Sequence, residues 1–377
     1  MKHTLNGEQF LKDLENLVNT DSQSSDPEGV AAVSAFFEKG FAEIGWKVEK
    51  KELDPTAGPC LKITNGEAPY DALLLGHMDT VFPRGTAAER PFRRDEKRAY
   101  GPGVNDMKGG LLFALYAARA ITESKAPGSF CIAFNSEEEI GSRRARPWLE
   151  ELARQSRTAL ILEPARPNGD LTNERKGLGQ IKVEFNGKAA HAGVEPEKGI
   201  SAVNEMAHWI LALHGLTDFE KGTTLNAGVV AGGTAPNVVP AKAAMAVDVR
   251  IKQPGEKDKI AAKVEELKAS PLTPGITVDA DFFITRPPMN PSPGTLKLCA
   301  LVEEAGREAG VEFGWQATGG GSDGNFTAAL GVPTVDGMGP VGGGSHAVTE
   351  YMEIEQAAGR FALLMNVLGK IPGAEFK

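Results

Sequence analysis

The sequence predicts an α/β fold, a mainly parallel-sheet domain interrupted by an inserted α+β domain of ferredoxin-like order. Three observations carry this. Over residues 1–178, short and nearly all-apolar runs alternate with helical patterns, as parallel strands covered on both faces do. After Gly177 the apolar residues alternate singly, and the element order becomes β-α-β-β-α-β. Residues 289–377 return to helix, strand and Gly-rich loop. The chain therefore divides into 1–178 and 289–377, forming one domain, and 179–288, inserted into it.

The elements follow in order. Residues 9–19 and 29–44 read as helices, within an opening segment, MKHTLNGEQFLKDLENL, that is polar and helical throughout. ALLLG (72–76) is an apolar strand and 108–123 a helix. SFCIAF (129–134) is the next strand, 143–155 a short helix and ALILE (159–163) a third strand. In the insert, IKVEF (181–185) alternates like a half-solvated strand. A helix over 197–214, strands at 223–231 and 241–251, a helix at 256–269 and a strand at 276–284 complete it. RPPMNPSPG (286–294) is Pro-rich and reads as the return linker.

Composition narrows the function. The 377 residues are 24% charged and 41% hydrophobic, which excludes a disordered chain or a fibre. The net charge of −9 offers no basic footprint for nucleic acid. No apolar run reaches the roughly 18–20 residues that span a bilayer. The start lacks the apolar core of a signal peptide, so the expected location is the cytoplasm, with no membrane partner. Cys60, Cys131 and Cys299 lack metal or redox spacing and read as buried free thiols.

Polar clusters end four of the apolar runs: His77-Met78-Asp79, Asn135-Ser136-Glu137-Glu138-Glu139, Glu163-Pro164, and GGGSHAVTE with His346. Ligands in open α/β sheets gather beyond the carboxyl ends of strands, so these groups could meet. Asp106, in GPGVNDMKGG before a helix, joins them as a candidate or serves only as that helix's cap. Singly, each has an ordinary reading: a cap, a solvated acidic face, a surface histidine. Jointly they form a set of imidazoles and carboxylates without thiolate, which suits Zn²⁺ or a similar divalent ion. Without a cation, so many carboxylates would raise each other's pKa.

The strings LLLGHMDTVFP (73–83), GPGVNDMKGG (101–110), NSEEEIGS (135–142), LEP (162–164), KAAHAG (188–193) and GGGSHAVTEYM (342–352) run in one order along nearly the whole chain. In them the sequence resembles the M20 metallopeptidases, most of all the glutamate carboxypeptidase branch. The resemblance implies two Zn²⁺ per subunit, with Co²⁺ or Mn²⁺ as substitutes. His77 and Glu163 would hold one ion, Glu139 and His346 the other, and Asp106 would bridge them. Glu138 would be the general base, Glu137 an accessory residue, and Asp79 would orient the His77 imidazole. The Asp106–Met107 bond would be cis. His191 would donate to the oxyanion from the partner subunit of a homodimer formed through the insert. Arg250 and Asn237 would bind a substrate carboxylate, and TGGGSDGNF (318–326), with Gly321, would approach the substrate by its backbone. That stretch lacks the Lys and spacing of a P-loop.

One departure stands out. Glutamate-specific relatives carry a Lys shortly after Glu-Pro; here the position falls near Leu171, with Arg166, Arg175 or Lys176 as substitutes. The implied reaction is amide hydrolysis releasing a C-terminal amino acid, glutamate favoured, from N-acyl, peptidyl or folyl-like substrates. The alternative is an N-acyl-amino-acid deacylase of the acetylornithine deacetylase or succinyl-diaminopimelate desuccinylase type. A binding protein of the same fold is a third reading, against which the intact base Glu138 argues. His208 and His214 are spaced off one helix face and read as structural. Ser142 has no GxSxG elbow around it, which argues against a serine hydrolase.

Overall fold

The computed structural model of the protein describes residues 5–54 and 56–376. The first four residues of the opening segment lie outside these. Helix α1 runs Gly7–Val18 and starts where Asn6 accepts the Gln9 amide at 3.2 Å. Helix α2, Pro27–Ala42, starts at Asp26, which caps Gly29, with proline at the first helical position. Strands β1 (Lys47–Lys51), β2 (Cys60–Thr64) and β3 (Ala72–His77) follow, then helix α3 (Gly109–Ser124) and strand β4 (Phe130–Asn135). Helix α4 (Arg146–Arg154) and strand β5 (Ala159–Ile161) close this part.

The next stretch contains β6 (Gly177–Asn186), α5 (Ala202–His214), β7 (Thr224–Gly232), β8 (Lys242–Ile251), α6 (Glu256–Ala269) and β9 (Thr277–Arg286). The chain then returns through α7 (Pro293–Ala309), β10 (Thr334–Val335) and α8 (Ile354–Lys370).

Among the described residues, one sheet has the order β1-β2-β4-β3-β5-β10. β4, β3, β5 and β10 are parallel neighbours, while β1 and β2 add an antiparallel edge. Successive residues of β3 and β4 enter different cores. Leu74 and Ile132 pack with Phe37, Leu111 and Phe134 on one face; Leu73, Leu75 and Cys131 pack with Trp148, Leu149 and Phe326 on the other. A strand buried on both faces needs apolar residues at every position, hence the unbroken run ALLLG. Edge strand β1, KVEKK, is largely exposed, so it lacks the apolar signal and escapes a reading based on hydrophobic runs.

The second sheet, β7-β8-β6-β9, is antiparallel throughout. Ile181, Val183 and Phe185 alternate inward against Trp209, Met206, Ile260 and Val264. The helix expected from 197 begins at Ala202; a single tight turn, Pro196–Lys198, precedes it.

The chain forms two compact units. One holds the chain up to Glu174, Met289–Thr318 and everything from Ser322; the other holds Arg175–Pro288 with Gly319–Gly321. Gly319–Gly321 joins the second unit because Arg250 donates to the Gly319 carbonyl at 3.0 Å and Arg175 to that of Gly320 at 3.3 Å. Among the described residues, no helix is long and apolar enough to cross a membrane.

Candidate metal centre

The carboxyl ends of the parallel strands deliver the chemistry. His77 is the last residue of β3, and its neighbour in register is Asn135, the last of β4. Glu163 follows β5 by two residues. Helix α3 starts close to these ends because it begins Gly109-Gly110. A Cβ on Gly110 would stand 2.1 Å from the Leu162 carbonyl oxygen, which leaves room for nothing but glycine.

Asp106 sits in the irregular turn before α3. It does not cap that helix, whose start at Lys108 carries no side-chain cap; the cap alternative is thereby corrected. The Asp106–Met107 peptide is cis. Instead of turning toward helix amides, the Asp106 carboxylate divides between two histidines. Oδ1 lies 3.3 Å from His77 Nε2, and Oδ2 lies 3.5 Å from His346 Nε2. Glu163 Oε1 is 3.5 Å from His77 Nε2, and Glu139 Oε2 is 3.0 Å from His346 Nε2. Two triads result, His77–Asp106–Glu163 and Asp106–Glu139–His346, each with ligand atoms within 4.8 Å of one another. They share Asp106.

The donor chemistry fits a divalent ion in each triad. Every donor is an imidazole nitrogen or a carboxylate oxygen, the set that suits zinc and its neighbours. His77 Nδ1 lies 2.9 Å from the Asp79 backbone carbonyl, which can only accept, so the ring presents Nε2 to the triad. The Asp79 carboxylate is farther from that ring, at 3.4 Å. Its oxygens accept instead from Ser24 Oγ at 2.6 Å and from the amides of Glu138 and Glu139 at 3.1 and 3.2 Å. Asp79 thus holds the turn that carries the expected base and a ligand, while its backbone holds the imidazole.

Charge frustration marks the site. Burial, then the Asp106 charge, pushes Glu163 up to about 7. Burial also raises Glu139. Burial would raise Asp106 as well, but hydrogen bonds from His346 and His77 outweigh it and hold the carboxyl well below its usual range. His346, hydrogen-bonded to Asp106 and Glu139, is raised to about 11. For His77, burial opposes protonation, yet contacts with Asp106, Asp79 and Glu163 prevail and raise it well above the ordinary histidine value. His346 has a left-handed backbone, φ 64°, a conformation uncommon outside glycine and one that occurs at functional positions.

Buried polar contacts support this shell. Asn135 donates to Ser142 Oγ at 2.9 Å and to Asp323 at 2.7 Å, and Ser142 donates to Asp323 at 2.6 Å. Glu137 is buried and accepts from the Arg144 and Ala145 amides at 2.5 and 2.8 Å, fixing the chain before α4. Ser142 is thus spent on structure. Motif reading missed Ser24 and Asp323, and missed Glu350, whose carboxylate accepts from three backbone amides beside Asp106. The only available signal for Glu350 was its place in GGGSHAVTEYM.

The remaining expected residues belong to the second unit. His191 is exposed; its Nδ1 accepts from the Gly193 and Val194 amides, both at 3.1 Å. A neutral ring so held carries its proton on Nε2 and presents a donor there. Asn237 is exposed and lies beside it, its carbonyl accepting from Ala192 at 2.9 Å. Arg250 makes a two-pronged contact with Asp248 at 2.9 and 3.0 Å. Gly321 allows close passage of the chain, since a Cβ there would meet Leu178 and Arg286 at under 3 Å. In the first unit, Leu171 is fully buried. The free cysteines are buried as expected, and burial pushes Cys60 up to about 12.

Known proteins resemble this chain in sequence and fold. The profile of peptidase family M20/M25/M40 matches residues 73–370. Carboxypeptidase G2 of Pseudomonas sp. (strain RS-16) is 32% identical over 355 residues, covering 91% of this chain and 85% of that protein. Acetylornithine deacetylase of Myxococcus xanthus is 30% identical over 225 residues, covering 55% of this chain and 58% of that protein. Among solved structures, aminopeptidase PepT from Bacillus cereus superposes with a TM-score of 0.81 at 22% identity, covering 98% of this chain and 99% of that one. At that identity the likeness speaks for the fold.

Proposed function

From the premise that this chain belongs to peptidase family M20/M25/M40 and is a metal-dependent hydrolase of that family, we propose that it is a dinuclear zinc amide hydrolase of the carboxypeptidase kind. Its product would be a C-terminal amino acid, glutamate favoured, freed from an N-acyl, peptidyl or folyl-like partner. The observation that carries this reading is the pair of donor triads sharing Asp106.

His77, Asp106 and Glu163 would hold one ion, and Asp106, Glu139 and His346 the other. Bound there, the ions would supply positive charge that acidifies a water and polarises the amide carbonyl. The protein's own groups do the rest. Glu138, its amide held by Asp79 at 3.1 Å, takes the water's proton and returns it to the leaving nitrogen. The Nε2–H of His191 donates to the developing oxyanion, from the partner subunit of a homodimer. Arg250 and Asn237 receive the substrate carboxylate, for which a guanidinium fork is the fitting donor. In the free chain that fork is engaged by Asp248, so substrate exchanges one carboxylate for another.

Similarity to acetylornithine deacetylase favours a second reading, deacylation of N-acyl amino acids, by the same centre. Leu171 at the expected Lys position keeps it in play. The experiment is metal-restored hydrolysis by the chelator-stripped protein. N-benzoyl-glutamate and a folyl-glutamate analogue are compared with N-acetyl-ornithine and N-succinyl-diaminopimelate. Zinc-restored cleavage of the glutamate conjugates supports the carboxypeptidase reading. Cleavage of the acylated amines alone replaces it with the deacylase, and no cleavage of any of the four counts against both.

A further inference from the structure

The shared ligand poses a positional problem. Asp106 must present Oδ1 to one triad and Oδ2 to the other, and functional groups of this kind tolerate only about 0.5 Å or 10–20° of misplacement. Yet Asp106 is in no regular element. Its turn has Gly101 at φ 142° and Gly103 at φ 72°, and the backbone at Asp106 and Met107 is non-helical. Two backbone bonds tie the turn, Val104 to Gly101 at 3.2 Å and Lys108 to Gly103 at 2.9 Å. The amides of Gly103, Asn105 and Asp106 are left over.

A single carboxylate takes all three. Glu350 Oε2 accepts from Gly103, and Oε1 accepts from Asn105 and Asp106, each at 2.9 Å. Glu350 is 1% exposed, so these are not contacts that water would replace. Its own chain position supplies the second half of the argument. Glu350 ends the loop that carries His346, and that loop is closed by Gly342 and Gly343 pairing with Met352 and Tyr351. Tyr351 and Met352 pair in turn with Tyr100 and Ala99, which lead directly into the Asp106 turn. One side chain therefore ties the bridging aspartate to the loop of the second triad's histidine.

We propose that Glu350 is a positioning residue of the metal centre: it fixes the separation and orientation of Asp106 and His346, so that two divalent ions can share one carboxylate. The proposal rests on the metal-centre reading above. Glu350 belongs to neither triad and acts through the three amides. The chemistry of replacement follows. In Glu350→Gln the amide oxygen can keep Asn105 and Asp106, but its NH₂ then faces the Gly103 N–H, donor against donor. In Glu350→Asp the carboxylate falls one methylene short and cannot serve all three amides.

The test uses the full chain stripped of metal, with Zn²⁺ alone titrated against a chromophoric chelator, and Co²⁺ absorption as a second readout. Glu350→Gln is expected to lose about 10–100-fold in ion affinity, the cost usual for shell residues behind a ligand. Its Co²⁺ spectrum should shift, while the far-UV circular dichroism of the metal-free protein stays that of wild type. Glu350→Asp should fall between. A purely structural clamp would lower the melting temperature equally with and without metal and leave affinity and spectrum unchanged; that result overturns the proposal. His77→Ala and His346→Ala serve as controls. If they lose metal and Glu350→Gln does not, only the Glu350 proposal falls. If the wild-type chain binds no Zn²⁺, the metal-centre reading falls and the proposal with it.

Discussion

Metal binding should expel a countable number of protons. In the metal-free protein His346, raised to about 11, is protonated at pH 7, and its contacts with Asp106, Asp79 and Glu163 shift His77 in the same direction. Glu163, pushed to about 7, is half protonated there, and Asp106, held low, is ionised. These four and Glu139, which burial also raises, must all be free of protons to bind an ion. Filling both triads at pH 7 therefore releases one proton from His346 and about half from Glu163, at least about 1.5 in all, to which His77 and Glu139 add their shares. At pH 6 the Glu163 share approaches one and the release rises; at pH 8 that share approaches zero and the release falls.

The sign follows: protons compete with the ions, so affinity increases with pH. The slope near neutrality is at least about 1.5 log units of overall association per pH unit, or about 2 kcal/mol. Calorimetric titration with Zn²⁺ in buffers of different ionisation enthalpy measures the released protons directly. A release below one, or one that does not decline between pH 6 and 8, would refute the charge assignment of the cluster.

Two further outcomes are expected. Glu138→Gln should lower kcat by about 10²–10⁴-fold, the range for a general acid–base group. Zinc content should be unchanged, because the ligands and the Asp79 contact to the residue 138 amide are untouched; kinetics with metal analysis of the same sample checks this. Gly110→Ala should cost about 1–3 kcal/mol of stability, because its Cβ would press on the Leu162 carbonyl. Chemical denaturation of the metal-free protein measures it, and a wild-type midpoint would show that α3 is free to shift.

The legible parts of the fold were those whose signal is local. ALLLG and SFCIAF announce strands because both of their faces are buried. IKVEF alternates because one face packs on Trp209. β1 was not legible: at a sheet edge its residues are mostly exposed, and what makes it a strand is pairing with β2. At the metal centre the residue types were readable from their motifs at strand ends. Their distances to one another were not, since His77 and Glu163 are far apart in sequence and adjoin through β3–β5 pairing.

By itself, the sequence determined where many of the helices and strands form, that the chain has an inserted α+β segment, and which imidazoles and carboxylates are available to a cation. The tertiary structure alone decided what those groups do together. It turned Asp106 from a possible helix cap into a carboxylate shared by two triads, aimed the Asp79 carboxylate at the Glu138 turn, and assigned Gly319–Gly321 to the second unit. It also placed Glu350 against amides 244–247 residues away in the chain. The reason is physical. Burial pattern and helix capping act over a few residues and leave their mark in local sequence. A carboxylate can satisfy any amide brought within about 3 Å, and only the folded chain settles which amides those are.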